Sequence, residues 1–243
     1  MKFRIYDHCF SFFCNLASER RIILLQIFNY FMPQRKTIIW DWNGTLLDDA
    51  EICREAINKM LKMRNLPELS LEKYRDVFTF PVIDYYKEVG FNFSSEQWEE
   101  VAMEFINLYL AALPSCRLTP FATKTLESFK LKGYRQAIIS AMQHDALLKS
   151  VSELGIYEYF DFIGGIGDHY GGGKIDNARN YFTSAGLNPT MITLIGDTLH
   201  DSEVAAELQC NCILVATGHQ SYDRLLKTGL PVIKNLSEIN SGI

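Results

Sequence analysis

From residue 36 onward the chain alternates short apolar runs with stretches of helical periodicity, and this alternation restricts the fold more than any other feature. The apolar runs are bounded by turn residues, which is typical of strands buried on both faces of a sheet. Strands that alternate with helices form a parallel sheet with helices on both faces, so the chain is predicted to be α/β. Strands are predicted at residues 37–41, 136–141, 160–166, 191–197, 212–216 and 231–233, and helices at 121–131, 146–154, 177–185 and 202–208.

One interval interrupts the alternation. Residues 42–135 separate the first two predicted strands, and an ordinary connection is far shorter. Helical patterns fall at residues 48–65, 70–78, 82–89 and 94–112, and the SSEQ sequence at 94–97 is typical of a helix N-terminus. We therefore expect a small helical insertion at about 50–116, between core segments 32–49 and 117–243. An insertion at this place can act as a lid.

Composition limits the class of protein. A chain of 243 residues, 48% of them hydrophobic, can bury one sizeable core and an accessory unit. The net charge of -5 argues against partners such as nucleic acid or a membrane surface. Six cysteines without a CxxC pair indicate buried thiols in a reducing cytoplasm rather than zinc ligands or disulfides.

The first 31 residues form a separate N-terminal extension. They are rich in Phe, Ile and Leu, but charged residues interrupt every apolar run. This pattern suits neither a transmembrane helix nor a signal peptide. Two hypotheses stay open, an amphipathic helix on a partner or membrane surface and a functional polypeptide that begins at Met32, and we favour the second.

Polar side chains stand at or just beyond the ends of the predicted strands, where ligands bind in open α/β sheets. They include Asp41, Ser140, Lys174, Asp197 and Asp201. Each alone has an ordinary explanation as a turn residue, a helix N-cap or a solvated lysine. Together they suit phosphoryl transfer. A carboxylate can accept the phosphoryl group, hard oxygen ligands can hold Mg²⁺, and a lysine and a hydroxyl can bind the phosphoryl oxygens.

The order and spacing of these residues resemble the haloacid dehalogenase superfamily over residues 36–237. The motifs that carry the resemblance are DWNGT at 41–45, Ser140, Lys174 and GDTLHD at 196–201. The resemblance implies a Rossmann-like, doubly wound parallel sheet with a small α-helical cap inserted after the first strand, as in phosphoglycolate phosphatase-like members.

The resemblance also implies roles for individual residues. Asp41 would be the nucleophile that becomes an aspartyl-phosphate, and Lys174 would hold phosphate and nucleophile together. Mg²⁺ would be bound by Asp41, the backbone carbonyl of Asn43 and Asp197, with Asp201 in support.

Further residues are expected to contact the substrate. Thr45 and Ser140 would bind phosphate, and Gln143 would supply the amide that many members carry directly after the hydroxyl residue. Structural polar roles near the same loops are expected for His144, His169 and His219.

The insertion is expected to add contacts of its own. A proline-broken loop would bring Phe80 and Tyr85 over the substrate, while the other aromatic residues pack the interior of the insertion. Arg54 and Arg75 are candidate contacts for a second anionic group.

Position 43 departs from the family pattern, because phosphatases of the family usually carry Asp there as general acid and base. Asn43 cannot titrate, and loss of a general acid–base commonly costs about 10²–10⁴-fold in rate. The substrate could have a good leaving group, such as an acyl phosphate or pyrophosphate. Another group (Asp48, Asp49 or His200) could substitute, or turnover could be slow. An Asp-to-Asn change made to trap a complex is the remaining alternative.

The function predicted from these features is a magnesium-dependent phosphatase of small phosphorylated metabolites, with phosphoglycolate as the default substrate by resemblance. Two alternatives stay open: a non-catalytic or very slow phospholigand-binding protein, and a phosphomutase. Dehalogenation is disfavoured because it needs no metal and phosphate site. An Asn43→Asp variant is expected to turn over alkyl phosphates faster, with a smaller gain on acetyl phosphate.

Overall fold

A computed structural model describes residues 35–167 and 173–239. The extension 1–31, the predicted start at Met32 and His169 lie outside these residues. In the part of the chain that is described, no helix combines the length and the apolar character needed to cross a membrane.

The core is one parallel sheet of six strands in the order β5-β4-β1-β6-β7-β8. The strands are β1 Thr37–Trp40, β4 Arg135–Gln143, β5 Phe162–Ile166, β6 Ile192–Gly196, β7 Asn211–Val215 and β8 Val232–Ile233. The helices of the core are α5 Ala122–Leu131, α6 His144–Glu153, α7 Lys174–Ser184, α8 Leu199–Glu207 and α9 Tyr222–Leu226. The predicted α/β class with a doubly wound parallel sheet is confirmed.

Side chains of β1 alternate between two hydrophobic clusters, one on each face of the sheet. Ile38 and Trp40 pack in the cluster that contains apolar residues of α5 and α6. Ile39 packs in the cluster that contains apolar residues of α7 and α8. Because both faces are covered, β1 is apolar at every position except Thr37. The first carboxylate, that of Asp41, follows directly after the last residue of the strand.

Between β1 and α5 lie four α-helices that stand on a short two-stranded base. The base pairs β2, Leu47–Asp48, antiparallel with β3, Arg117–Leu118, and neither strand was predicted. We call residues 50–116 the insertion; its helices are α1 Ala50–Met63, α2 Leu71–Val77, α3 Val82–Glu88 and α4 Trp98–Ala112. The predicted helix N-terminus at 94–97 is wrong, because α4 begins at Trp98 after Gln97, which makes no side-chain cap hydrogen bond.

Two element boundaries next to the site differ from the prediction. β4 continues to Gln143, and α6 follows at once because the Gln143 side chain accepts a hydrogen bond from the N–H of Ala146. α7 begins at Lys174 rather than residue 177, since Gly173, with φ of 100°, turns the chain directly into the helix. Lys174 is therefore the first residue of a helix.

Candidate active site

The strand ends and the insertion together enclose a cavity of about 220 Å³. Its lining comes from the residues that follow β1 and β6, from the end of β4, from the start of α7 and from all four helices of the insertion. The predicted site residues that line it are Asp41, Asn43, Phe80, Tyr85, Ser140, Gln143, Lys174, Asp197 and Asp201. Residues far apart in the chain thus meet at one place, as the strand-end pattern indicated.

Lys174 is buried between two carboxylates that follow different strands. Its Nζ lies 2.5 Å from Asp41 Oδ1 and 2.7 Å from Asp201 Oδ1. Burial opposes the charge on Lys174, but Asp201 and Asp41 outweigh it and raise the pKa of the ammonium group above its usual range. Burial raises the pKa of Asp41 to about 6, against the opposing effect of Lys174, so the carboxylate is ionised at neutral pH. The alternative of a solvated lysine is contradicted.

Each of the two carboxylates after β6 divides its oxygens among fixed partners. Asp201 Oδ2 accepts from the Thr198 N–H at 3.0 Å and from Thr198 Oγ1 at 2.7 Å, which closes a capping box at the start of α8. Asp197 is fully buried, with Oδ1 accepting from Thr45 Oγ1 at 3.2 Å and Oδ2 from the His219 N–H at 2.6 Å. Asp201 therefore serves as a helix cap with one oxygen and faces the lysine with the other.

The three carboxylates form a set of oxygen donors suited to a hard divalent cation. Oxygens of Asp41, Asp197 and Asp201 lie within 4.8 Å of one another. Burial, together with the negative charges of Asp41 and Asp201, raises the pKa of Asp197 to about 8 against the opposing effect of His219. Such a set fits Mg²⁺, which prefers carboxylate oxygens and would offset this excess charge.

Glycine at position 44 permits this cluster to close. Gly44 has φ of 72°, and a Cβ there would collide with the Asp197 carboxylate. A Cβ at Gly218 would meet the same carboxylate. The Gly in the DWNGT motif is thus required both by the turn and by the space that Asp197 occupies.

The amide of Asn43 is fixed by the residues around it. Its Nδ2 donates to Asp49 Oδ2 and to the Tyr109 hydroxyl, both at 2.7 Å. Ser140 Oγ lies 3.5 Å from the amide oxygen, on the other side. An ionised carboxylate can only accept hydrogen bonds, so Asp49 determines which way the amide faces. The amide oxygen is consequently the atom that Asn43 presents toward Ser140.

Asp49 is the centre of a buried charged network that sequence reasoning missed. Its Oδ1 accepts from the Gly44 N–H at 2.8 Å and lies 3.4 Å from Nε2 of His219, whose Nδ1 is 2.8 Å from the Tyr74 hydroxyl. Burial opposes the charge on His219, but Asp49 outweighs it and raises the pKa of the ring to about 9. Burial likewise opposes ionisation of Asp49, and the histidine lowers the pKa of this carboxyl below its usual value. The two groups form an ion pair at neutral pH.

The three groups proposed as substitutes for a missing acid have different surroundings. Asp48 is exposed on β2 and is absent from the described lining of the cavity. Asp49 lines it but is held by the bonds above. His200 lines it next to the Phe80 ring, with ring centres 4.9 Å apart. Asp49 follows directly on Asp48 in the sequence, and no local pattern singles it out from its neighbour.

The three residues predicted to contact phosphate already make hydrogen bonds within the protein, and they differ in whether they line the cavity. The Thr45 hydroxyl is fully buried and donates to Asp197. Ser140 Oγ accepts from the Met142 N–H at 3.0 Å. Gln143 uses its side-chain oxygen to cap α6 and donates from Nε2 to Asp145 at 3.3 Å. Of these three residues, Ser140 and Gln143 line the cavity.

The insertion contributes aromatic side chains to the cavity, whereas Arg54 and Arg75 bond to other parts of the protein. Phe80 and Tyr85 line the cavity, and the buried Tyr85 hydroxyl has no hydrogen-bond partner among the described residues. Arg75 donates to the backbone oxygens of Gly218 and Thr217 at 2.8 and 2.9 Å. Arg54 pairs with Glu51 and bonds a backbone oxygen. Neither arginine lines the cavity in the described part of the chain, so their expected role as anion contacts is not supported.

Known proteins with this organisation match the chain over most of its length. The family model of haloacid dehalogenase-like hydrolases matches residues 38–215. A phosphoglycolate phosphatase from Aquifex aeolicus is 27% identical over 189 residues, which cover 76% of this chain and 86% of that protein.

Solved structures that share the fold include the following two. A haloacid dehalogenase-like hydrolase from Streptococcus pneumoniae has a TM-score of 0.72 at 21% identity, covering 85% of this chain and 97% of its own. CbbY from Rhodobacter sphaeroides, in complex with phosphate, has a TM-score of 0.62 at 16% identity and covers 84% and 96%. The resemblance seen in the motifs is confirmed, and the chain belongs to the haloacid dehalogenase-like hydrolase family.

Proposed function

We propose that the chain is a magnesium-dependent phosphatase of small phosphorylated metabolites that works through an aspartyl-phosphate on Asp41. The observation that carries this proposal is Lys174, held at 2.5 Å from Asp41 and 2.7 Å from Asp201 beside the buried Asp197. A lysine in this place can neutralise phosphoryl oxygens next to the nucleophile without leaving it. A cytoplasmic location is part of the proposal, supported by the free thiols of the four described cysteines.

Asp41, Asp197 and the backbone carbonyl of Asn43 would hold Mg²⁺, with Asp201 in support. When bound, the ion supplies positive charge that offsets the negative charge of the phosphoryl oxygens. Asp201 also positions Lys174, so one residue would serve the cation site and the phosphate site together.

The reaction is expected to proceed in two displacements at phosphorus. An oxygen of Asp41 attacks, the bond from phosphorus to the leaving oxygen breaks, and its electron pair departs with the leaving group. Water then attacks the same phosphorus, the bond to Asp41 breaks, and orthophosphate is released with the carboxylate restored. The pKa of about 6 leaves Asp41 ionised and nucleophilic at neutral pH.

Asn43 limits both displacements. Both of its N–H bonds point to Asp49 and Tyr109, so its amide oxygen can orient a water or a leaving hydroxyl but cannot take or give a proton. Leaving groups that need no proton are therefore favoured. The same observation supports a second candidate function, a protein that binds phosphorylated ligands and turns them over very slowly.

The full-length protein with Mg²⁺ should hydrolyse p-nitrophenyl phosphate, acetyl phosphate, pyrophosphate or phosphoglycolate, the last by analogy with the Aquifex relative. An Asp41→Asn variant is the matched control, and its loss of turnover with folding intact supports the enzyme. Magnesium-dependent phosphate binding without turnover of any substrate would instead support the binding protein.

A further inference from the structure

The wall that the insertion contributes to the cavity is apolar and largely aromatic. Side chains that form it include Phe78, Phe80, Tyr85, Phe105, Ile106 and Leu110. Among the described residues that line the cavity, Lys174 is the only lysine or arginine, and it is already bonded to two carboxylates. The part of a substrate that projects beyond the phosphoryl group thus meets hydrocarbon.

A leaving group with its own carboxylate is poorly matched to this wall. Of the two histidines in the described lining, His219 is paired with Asp49, and His200 Nδ1 lies 3.2 Å from Glu203 Oε2. Arg54 and Arg75 are bonded elsewhere. A second anion would be buried without a cation, and burial of an unpaired charge is strongly unfavourable. The cavity therefore disfavours phosphoglycolate, although a relative of this chain is a phosphoglycolate phosphatase.

The size of the cavity limits the leaving group that it can hold. The cavity of about 220 Å³ includes the space beside Asp41 and Lys174 that the phosphoryl group would fill. Since a dry apolar cavity of about 150 Å³ accepts a benzene molecule, the remaining space limits the leaving group to a single ring.

The chemistry at position 43 points to the same class independently. A phenol has a pKa near 10, as tyrosine does, far below that of an aliphatic alcohol. When Asp41 attacks the phosphorus of an aryl phosphate, the electron pair of the breaking bond stays on the phenolic oxygen, which leaves as phenolate and takes its proton from water. Such a leaving group needs no general acid, and Asn43 supplies none.

We propose that the substrates of this site are aryl phosphates, the phosphate esters of single-ring phenols. This inference rests on the proposed phosphatase function and specifies its substrate class.

Four substrates, assayed with the full-length protein and Mg²⁺, separate the contribution of the aromatic ring from that of the leaving group. Phenyl phosphate combines a ring with a good leaving group, benzyl phosphate has a ring only, acetyl phosphate has a good leaving group only, and phosphoglycolate has neither. We expect kcat/KM for phenyl phosphate to exceed that for phosphoglycolate by about 100-fold or more, with benzyl and acetyl phosphate between them. A higher value for phosphoglycolate or acetyl phosphate than for phenyl phosphate would overturn the proposal.

A variant of the wall tests the charge argument. Leu110 is 37% exposed at the cavity, so Leu110→Lys adds a cation there without burying it fully. It should reduce the preference for phenyl phosphate over phosphoglycolate by about tenfold, and the neutral control Leu110→Gln should reduce it much less. Equal effects of the two variants would show that charge in the wall does not select the substrate.

Binding of substrate analogues distinguishes failure of this inference from failure of the phosphatase proposal. Phenylphosphonate and 3-phosphonopropionate cannot be hydrolysed, and their affinities with Mg²⁺ can be measured by calorimetry. Tighter binding of phenylphosphonate without turnover of any ester would support the ligand class and refute the phosphatase. Turnover combined with tighter binding of 3-phosphonopropionate would refute the ligand class alone, and binding of neither analogue would refute it as well.

Discussion

Replacing Asn43 with Asp would place two carboxylates where an amide and a carboxylate now share a hydrogen bond. The Nδ2 of Asn43 lies 2.7 Å from Asp49 Oδ2. Two negative charges about 4 Å apart repel by about 4 kcal/mol at the effective dielectric of a protein, equivalent to about three pKa units. Asp49 is ionised, with its pKa below the usual value, so the introduced acid should keep its proton.

The repulsion between the introduced carboxylate and Asp49 should destabilise the folded protein more at high pH than at low pH. The folded-state pKa of the new acid is raised above its unfolded value, so the folded state binds a proton more tightly. The free energy of unfolding of Asn43→Asp, relative to the original protein, should fall as pH rises from about 4 to about 7. Between pH 5 and pH 8 we expect this difference to grow by about 2–3 kcal/mol.

Urea denaturation in EDTA at pH 5 and pH 8 measures this effect in four proteins: the original, Asn43→Asp, Asp49→Asn and the double variant. The double variant compared with Asp49→Asn shows the same substitution without the facing carboxylate, and the pH-dependent cost should nearly vanish there. A cost that is the same at both pH values, or the same in both backgrounds, would refute the like-charge argument. The protonated acid at position 43 should also speed alkyl phosphates more than acetyl phosphate, and equal gains would contradict the leaving-group explanation.

Two further perturbations test the site. Lys174→Met leaves Asp41 and Asp201 without their cation, so it should abolish turnover and lower the metal-free free energy of unfolding by about 3–5 kcal/mol in urea denaturation. Lys149 is exposed, and Lys149→Met is the control. Equal effects of the two variants would contradict the buried role of Lys174. The pKa of His219 is raised from 6.5 to about 9 in the folded protein, so its ion pair stabilises fully below pH 6.5 and is lost as pH rises through 9. Denaturation in EDTA should show that the free energy of unfolding falls by up to roughly 3 kcal/mol across that pH window. If the free energy of unfolding of His219→Gln fell just as steeply with pH, the assignment of this effect to His219 would be refuted.

The features that the sequence predicts correctly are those that depend on residues close together in the chain. Each central strand is an apolar run that ends in a polar residue, so the meeting of Asp41, Lys174 and Asp197 follows from the parallel order of the strands. The start of α7 at Lys174 was missed because glycines conceal a helix N-terminus, although Gly173 is what permits it. The sequence predicts Gln143 as a substrate contact, whereas in the structure its side-chain oxygen caps the start of α6.

The Asp49–His219 pair could not be read from the sequence for a different reason. Its members are separated by most of the chain, and each stands in a segment with an adequate local explanation. The pairing depends on the loop after β7 reaching over Gly44, which is a property of the packed structure rather than of either segment. Similarly, the sequence does not show that Arg54 and Arg75 are bonded to backbone oxygens and, for Arg54, to a carboxylate.

The contacts between insertion and core bear on how this protein could diversify. Tyr74 and Tyr109 supply hydroxyls to His219 and Asp49, and Arg75 holds the backbone of the loop that carries the histidine. The insertion is therefore not an interchangeable module whose replacement would alter specificity alone. A chimera that receives the helices of a relative would lose partners of a buried ion pair, so grafts should succeed only when Asp49 and the loop after β7 are transferred with them.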